Sequence, residues 1–306
     1  MVRAVDGVVL LDKPAGISSR KLLNQVMREL GLKKAGYLGT LDPFATGVLP
    51  IVVGRATKLG PYLELEPKGY QATLKLGEET DTLDLTGKLI NQSPVNGIDE
   101  ARLSAAVSKF QGTIKQVAPS FSALKHKGVA LYRLARKGQQ VPRKERQVQI
   151  HQLHLDEINL PLVSFSVVCS GGTYIRALAK DIGRELGCGA HLIYLRRVQN
   201  GSFLIDDCLS LEELNELVKN EGLAKALIPL KQALAHLKSV SVAWPAAARI
   251  AQGQGVSADQ VAQLDATGIS PGEKVVVHGP LGDMLAVAEA RVTDGQSMFC
   301  PLRVLV

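Results

Sequence analysis

An aspartate lies in a loop-like stretch between two apolar segments, where its carboxylate either starts a turn or does chemistry. Residues 36–50 read GYLGTLDPFATGVLP, so Asp42 precedes a proline and lies among glycines and threonines. Asp-Pro pairs commonly start turns, and this stretch taken alone favours that interpretation. A catalytic carboxylate would have to be ionised yet poorly solvated, which an enclosed loop can provide. Because burial alone would raise its pKa, it would also need a fixed cation nearby.

The sequence lacks the common motifs of nucleotide-dependent and hydrolytic enzymes. It has no G-x-x-x-x-G-K-[ST] loop, no G-x-G-x-x-G after a strand, no G-x-S-x-G and no H-E-x-x-H. Its four cysteines have no paired spacing, and the acidic run EETDTLD (78–84) is more typical of a polar hairpin turn than of a calcium loop. We therefore expect side-chain catalysis without a cofactor or a metal, with Asp42 as the leading candidate.

The positive charge of the chain is concentrated in one segment. The 306 residues carry a net charge of +7. Between Lys125 and Arg146, eight basic residues and one acidic residue account for that whole charge, so the rest of the chain is neutral. Most charge runs are solvated surface. One cationic segment on a neutral background nevertheless favours a partner with a phosphate backbone, such as a nucleic acid.

Strand-like and helix-like patterns are interspersed over the first two thirds of the chain. Apolar or alternating runs predict strands at GVVLLDK, LPIVVG, YQATLKLG, QVQIHQLHL, LVSFSVVCS and HLIYLRRV. Helical periodicity and capping residues predict helices at SSRKLLNQVMRELG, EARLSAAVSKFQG, GVALYRLARKG and GTYIRALAKDIGRELG. Because regular βαβ units are missing, we expect an α+β fold with a mixed, largely antiparallel central sheet flanked by helices.

The pattern changes towards the C-terminus. Residues 208–238 are almost wholly helical in pattern, and the tail has short strand-like runs between glycines and prolines. We expect a catalytic domain over 1–240 and a small β-rich module over 241–306 that is appended rather than integral. The early apolar run VVLL is too short for a signal peptide or a membrane span, so we expect a cytoplasmic protein with no membrane partner.

Four stretches in this order closely resemble the bacterial tRNA pseudouridine-55 synthases of the TruB family. They are GTLDPFATGVLP (39–50), KGYQATLKLGEETDTLDLTG (68–87), PSFSALKHKGVALYRLARKG (119–138) and CSGGTYIRALAKDIGRELGCGAHLIYLRR (169–197). The resemblance implies the pseudouridine synthase fold with a PUA-like RNA-binding domain at the C-terminus. The implied reaction converts uridine-55 in the T loop of tRNA to pseudouridine after base flipping, without a cofactor.

The resemblance also assigns roles to the residues that match its motifs. Asp42 corresponds to the essential nucleophile and Arg176 to the arginine that pairs with it. The residues alone would make Arg176 a surface ion pair on a helix. Tyr70 corresponds to the tyrosine that stacks on the target base and helps to move a proton at C5. Tyr174 and Leu195 correspond to positions that line the uridine pocket.

Two further positions have less direct roles in the resemblance. Asp84 corresponds to an acidic position near the active-site cleft. Tyr37 marks a departure, because the family commonly reads G-H-T-G where this chain reads GYLG (36–39). A tyrosine keeps an aromatic face and a hydroxyl but cannot become cationic as a histidine can. We therefore expect Tyr37 to contact the substrate by stacking, with an altered polar contact.

The cationic segment lies within residues 119–146, a stretch that corresponds to a family region along the T stem. The resemblance implies contacts to RNA phosphates, which position RNA without reading its sequence, from Lys125, Lys127, Arg133 and Arg136. The implied partner is the T stem-loop of tRNA, with no obligate protein partner, and we expect a monomer.

Two other functions remain compatible with the sequence. A tRNA-folding chaperone would bind and open the T loop with the same basic surface and without chemistry. An archaeal-type synthase of guide-RNA particles would share the catalytic motifs. The bacterial-type motifs and the helical stretch argue against that second alternative.

Overall fold

The computed structural model describes residues 5–119, 125–126, 129–130, 145–264, 268–293 and 295–306. The α-helices are α1 (Ser19–Glu29), α2 (Glu100–Ser108), α3 (Ile175–Leu186), α4 (Leu211–Glu221), α5 (Leu230–Ala233) and α6 (Ala246–Ala251). The strands are β1 (Gly7–Lys13), β2 (Ala35–Tyr37), β3 (Thr46–Val53), β4 (Lys68–Leu76), β5 (Glu78–Thr80), β6 (Leu89–Gln92), β7 (Gly112–Val117), β8 (Lys125–His126), β9 (Val129–Ala130), β10 (Glu145–Asn159), β11 (Leu162–Cys169), β12 (Ala190–Asn200), β13 (Phe203–Leu204), β14 (Lys238–Val242), β15 (Val256–Ser257), β16 (Val261–Leu264), β17 (Lys274–His278), β18 (Met284–Thr293) and β19 (Gln296–Val304).

The central sheet has the order β1-β3-β12-β4-β11-β10-β7, with β2 paired to β3 and β13 paired to β12. β3 and β12 run parallel. The other neighbouring strands run antiparallel. The predicted mixed, largely antiparallel sheet is confirmed. The parallel pair matters for the site, because it places Gly47 of β3 directly against Arg197 of β12.

Apolar clusters flank this sheet. Successive residues of β1 belong to different clusters, because Val9 and Leu11 pack with α1 and α4 while Val8 and Leu10 pack on the opposite face. This burial on both faces explains the continuous apolar run VVLL in the sequence. On the strands nearer the site, the cluster around Phe165 of β11 includes side chains of α2 and α3.

Three predicted cap positions are confirmed, although α2 ends at Ser108, before the predicted Gly112. The Ser18 side chain accepts a hydrogen bond from the amide of Lys21 at the start of α1. The Asp99 side chain accepts one from the amide of Arg102 at the start of α2. Gly187 ends α3 with a φ of +83°, which glycine adopts without strain.

The second sheet forms the C-terminal module and has the order β15-β19-β18-β17-β14-β16. The sequence indicated β17, β18 and β19 and missed the three short strands. The expectation of a merely appended module is wrong, because Val276 and Leu305 pack in one apolar cluster with Val8 of the central sheet. The Arg55 guanidinium also donates to the Leu305 carbonyl (3.3 Å). The module therefore shares a core with the central sheet.

Two local expectations can be compared with the backbone. The acidic run lies in a hairpin of β5 and β6, as predicted. The basic helix predicted over 128–138 lies outside the described residues apart from Val129–Ala130, which pair with Lys125–His126 as a strand. The helix prediction is wrong at these two residues, because their backbone groups bond across a hairpin. Within the described ranges, no helix has the length and apolar character that a membrane crossing requires.

Candidate active site

The loop that carries Asp42 connects β2 to β3 and is held by the first strand and the first helix. The Ser19 hydroxyl donates to the Leu41 carbonyl (3.1 Å) and accepts from the Leu41 amide (3.0 Å). The Lys13 ammonium donates to the Pro43 carbonyl (3.2 Å). These bonds fix the backbone on both sides of Asp42, so the carboxylate has a defined position.

Two glycines allow this loop to pass close to β12. Gly39 has a φ of +70°, and a Cβ there would lie 3.1 Å from the Arg197 guanidinium. Gly47 has a φ of +105°, and a Cβ there would collide with the Arg197 carbonyl. A larger residue at either position would strain the backbone or displace the strand. The glycines of the motif therefore serve a close approach between the loop and Arg197.

Arg176 of α3 is the cation that the Asp42 carboxylate requires. Its Nε lies 2.9 Å from Asp42 Oδ2, and its Nη2 lies 3.3 Å from Oδ1. The Arg176 side chain is 4% exposed and the Asp42 side chain 36% exposed, so a buried cation faces a carboxylate that is open on one side. This burial rules out a surface ion pair. A cation in the first turn of a helix opposes the helix dipole, so acidic partners have to compensate it.

Asp84 is the second carboxylate bonded to Arg176. Its Oδ2 lies 3.2 Å from Arg176 Nη1, which also donates to the Thr82 carbonyl (2.7 Å). Its Oδ1 accepts from the Thr82 hydroxyl (2.8 Å), the Thr86 amide (2.9 Å) and the Thr86 hydroxyl (2.6 Å). The hairpin of β5 and β6 therefore holds a buried, hydrogen-bonded carboxylate that contacts Nη1 of Arg176, while Asp42 contacts Nε and Nη2.

A buried glutamine fixes the start of α3. Gln116 of β7 accepts from the Tyr174 amide (3.0 Å) and donates to the Tyr174 carbonyl (3.2 Å). Arg146 packs over the Tyr174 ring, with 5.2 Å between the guanidinium carbon and the ring centre, which is a cation–π distance. Arg146 is the last residue of the cationic segment, so one described member of that segment lies beside the site.

A pocket with a cavity volume of about 190 Å³ opens beside Asp42. Asp42, Tyr70, Arg176, Tyr174 and Leu195, which were predicted from separate motifs, all line it. The other lining residues are Gly39, Thr40, Leu41, Lys68, Gly172, Thr173, Ile175 and Arg197. Aromatic and aliphatic walls around one carboxylate suit a planar base that has been removed from its stack.

The charges around the pocket oppose each other at Asp42. Burial raises the pKa of the Asp42 carboxyl, the Arg176 cation opposes that rise, and the Asp84 carboxylate adds to it. Burial lowers the pKa of the Lys13 ammonium to about 8, against the attraction of Asp42. Burial also raises the pKa of the Tyr70 hydroxyl, which keeps it protonated. Asp42 therefore depends on the neighbouring cations to stay ionised.

Comparison with known families identifies the chain. Residues 27–175 match the model of the TruB family pseudouridylate synthase N-terminal domain, and residues 176–235 match that of the tRNA pseudouridylate synthase B C-terminal domain. The chain belongs to the TruB family. It is 43% identical over 286 residues to the tRNA pseudouridine synthase B of Geobacter sulfurreducens, covering 94% of this chain and 93% of that relative. The corresponding protein of Geotalea uraniireducens is 40% identical over 299 residues, covering 98% and 96%.

Solved structures confirm the pseudouridine synthase fold of this TruB family member. The chain is similar to a protein in a Cbf5-Nop10-Gar1 complex, with a TM-score of 0.74, 28% identity, and coverage of 98% of this chain and 85% of that chain. It is also similar to a chain of an H/ACA RNP bound to a substrate RNA containing 2′-deoxyuridine, with a TM-score of 0.73, 26% identity and coverage of 98% and 85%.

Other residues predicted for the site lie elsewhere. Tyr37 ends β2 and packs against the apolar cluster of α1, and it does not line the pocket. Asp84 contacts Arg176 and does not line the pocket either. Lys125 lies in a described strand, but its side chain is outside the description. Three more phosphate-contact candidates lie outside the described residues altogether, namely Lys127, Arg133 and Arg136.

Three cations around the site were not predicted from the sequence, namely Lys13, Lys68 and Arg197. Lys68 lies two residues before Tyr70 on β4, so strand alternation gives both side chains the same face. The same alternation predicts that the side chains of Arg196 and Arg197 lie on opposite faces of the sheet, so only one of them can line the pocket. Lys13 has no such pattern, because it is simply the last residue of a buried strand.

Proposed function

We propose that the protein isomerises uridine-55 in the T loop of tRNA to pseudouridine. Pseudouridylation of tRNA follows from the family and from relatives named tRNA pseudouridine synthase B. The observation that carries the proposal is the Asp42 carboxylate, bonded to the buried Arg176 in a pocket walled by Tyr70 and Leu195. A uracil flipped out of the T loop would occupy this pocket.

The reaction needs a nucleophile and a route for protons, and it needs no cofactor. Asp42 supplies the nucleophile, and the bond that its carboxylate forms to the nucleoside breaks again before the product is released. The N1–C1′ bond breaks, the uracil turns, and a C5–C1′ bond forms. C5 then loses its proton while N1 gains one, so the product is an isomer of the substrate and no electrons are exchanged. Tyr70 stacks on the base and takes part in the proton transfer at C5.

The remaining site residues support these two. Arg176 keeps Asp42 ionised where burial favours the neutral acid. Asp84 fixes Arg176 through the 3.2 Å ion pair, while Tyr174 and Leu195 shape the pocket. We assign Tyr37 to support of the loop, because its ring packs against the apolar cluster beside α1.

RNA binding is assigned to two regions. The cationic segment contacts phosphates of the T stem through Lys125, Lys127, Arg133 and Arg136, and the position of Arg146 beside the pocket supports that path. The residues before β14 form the catalytic domain, and the C-terminal module, which begins with β14 at Lys238, forms a PUA-like domain that adds affinity for tRNA. We further propose a cytoplasmic monomer without an obligate protein partner.

Release of tritium tests this proposal directly. Transfer RNA labelled at C5 of uridine should lose its label to water with the purified protein alone. Asp42→Ala should bind the tRNA and release none, because the carboxylate is absent. Asp81→Asn is the matched control, since Asp81 is an exposed aspartate that accepts only from the Lys88 amide (2.8 Å) among the described contacts. Tight binding by the wild type without any release would refute isomerisation and favour a folding chaperone.

A further inference from the structure

Arg197 is a buried cation that donates hydrogen bonds to backbone carbonyl oxygens. Arg197 is 1% exposed, and within the described part of the chain it makes no salt bridge. Its Nη2 donates to the Gly39 carbonyl (2.7 Å), and its Nε donates to the Val48 carbonyl (2.9 Å). Gly39 and Val48 lie on either side of Asp42 in the chain. One guanidinium therefore holds both ends of the loop that carries the nucleophile.

The same guanidinium adjoins Tyr70. Arg197 of β12 is directly opposite Tyr70 of β4, so both side chains lie on one face of the sheet, and both line the pocket. A guanidinium has only donors. The Tyr70 oxygen beside it can therefore act only as an acceptor towards Arg197, and the hydroxyl proton has to point elsewhere. The Arg197 cation also opposes the rise in the pKa of Tyr70 that burial causes.

We propose that Arg197 is a positioning residue for the isomerisation, which fixes the Asp42 loop relative to Tyr70 and directs the Tyr70 hydroxyl into the pocket. The inference rests on the proposed function. It adds a residue of the pocket wall that joins the loop carrying Asp42 to the strand carrying Tyr70. The step that depends most on this arrangement is the loss of the C5 proton after the C5–C1′ bond has formed. The Tyr70 oxygen takes that proton while the hydroxyl proton passes on to water, so Tyr70 stays neutral and its hydroxyl has to be oriented.

Three variants separate this role from simple support of the fold. Arg197→Lys keeps the positive charge and can donate to one of the two carbonyls, whereas Arg197→Met removes the charge and both hydrogen bonds. Arg196→Met is the matched control, because Arg196 is the neighbouring residue on the strand and instead bonds to Asp12 (2.6 Å) away from the pocket. Each variant is checked by urea unfolding before its rate is compared.

The assay is single-turnover conversion of a T stem-loop RNA with protium or deuterium at C5 of the target uridine. We expect Arg197→Lys to lower the rate by about 10- to 100-fold, with the dissociation constant of the RNA within about three-fold of wild type. We also expect a larger deuterium isotope effect, because removal of the C5 proton becomes slower relative to the other steps. Arg197→Met should be slower than Arg197→Lys, and Arg196→Met should keep the wild-type isotope effect.

A double-mutant cycle with Tyr70→Phe keeps the test decisive if Arg197→Met unfolds. Arg197→Lys should cost less in the Tyr70→Phe background than in the wild type, because its effect passes through the missing hydroxyl. Additive losses with an unchanged isotope effect would overturn the proposal and leave Arg197 as support of the fold. A wild-type protein that converts no uridine would instead overturn the proposed function itself.

Discussion

Replacing Asp84 with asparagine removes one charge from the network behind Asp42 while keeping the side chain's size. Asp84 accepts three hydrogen bonds at Oδ1 from Thr82 and Thr86, and one at Oδ2 from Arg176. An asparagine has one oxygen and one NH₂ group. If its oxygen faces the threonines, its NH₂ faces the Arg176 guanidinium, donor against donor. If it is flipped, its NH₂ faces the Thr86 amide, so neither orientation satisfies both sides.

The loss of rate in Asp84→Asn is estimated from the lost hydrogen bond between Arg176 and Asp84. Loss of a hydrogen bond to a charged, buried partner costs about 1.5–3 kcal/mol. Because Arg176 is then held less firmly against Asp42, the same free energy in the barrier would slow the reaction by about 10- to 150-fold. The pH dependence changes separately. Burial raises the pKa of Asp42, Arg176 opposes that rise, and the Asp84 charge adds to it. Removal of that charge lowers the pKa of Asp42, so the acid limb of the rate profile moves to lower pH.

Single-turnover tritium release, measured from mildly acid to mildly alkaline pH, gives both quantities. Asp81→Asn changes an exposed carboxylate in the same hairpin and should stay within about two-fold of the wild-type rate. Arg176→Met should move the acid limb in the opposite direction, to higher pH, because it removes the cation that lowers the pKa of Asp42. A wild-type rate in Asp84→Asn, or an acid limb displaced to higher pH, would refute the assignment of Asp84 as the support of Arg176.

Three shorter predictions concern stability and binding. Burial lowers the pKa of Lys13 to about 8, so between that pH and the ordinary pKa of lysine the unfolded chain binds more protons than the folded chain. The free energy of unfolding of the wild type, measured in urea relative to Lys13→Met, should therefore rise with pH over this range. Gly47→Ala should lower the unfolding free energy by at least about 2 kcal/mol, because its Cβ meets the Arg197 carbonyl; an unchanged thermal midpoint would contradict this. Binding of tRNA should weaken steeply with salt, and neutralising Lys125 or Lys127 should reduce the slope by about one each; a flat dependence would remove the role of the cationic segment.

Local chemistry in the sequence was enough to predict most elements of the central domain, because caps such as Ser18 and Asp99 act within one turn of their helix. The site could be predicted only through the resemblance, since Asp42 alone favoured a turn. Arg197 could not be assigned, because the pairing register decides which arginine of IYLRRV faces Tyr70, and a slip of one residue would reverse it. The apolar core shared by the two sheets could not be predicted either, because it depends on packing between residues far apart in sequence.

The charges around the pocket lead to one more testable consequence. Lys13 is a buried cation that donates to backbone carbonyls, makes no salt bridge within the described residues, and lowers the pKa of Asp42. That positive potential helps to keep Asp42 ionised before RNA arrives. When an RNA phosphate backbone enters beside the pocket, its negative charge offsets part of the potential and raises the pKa of Asp42. The acid limb of kcat, which reports the complex, should therefore lie at higher pH than that of kcat/KM, which reports the free enzyme. Coincident limbs, or the reverse order, would show that bound RNA does not raise the pKa of Asp42.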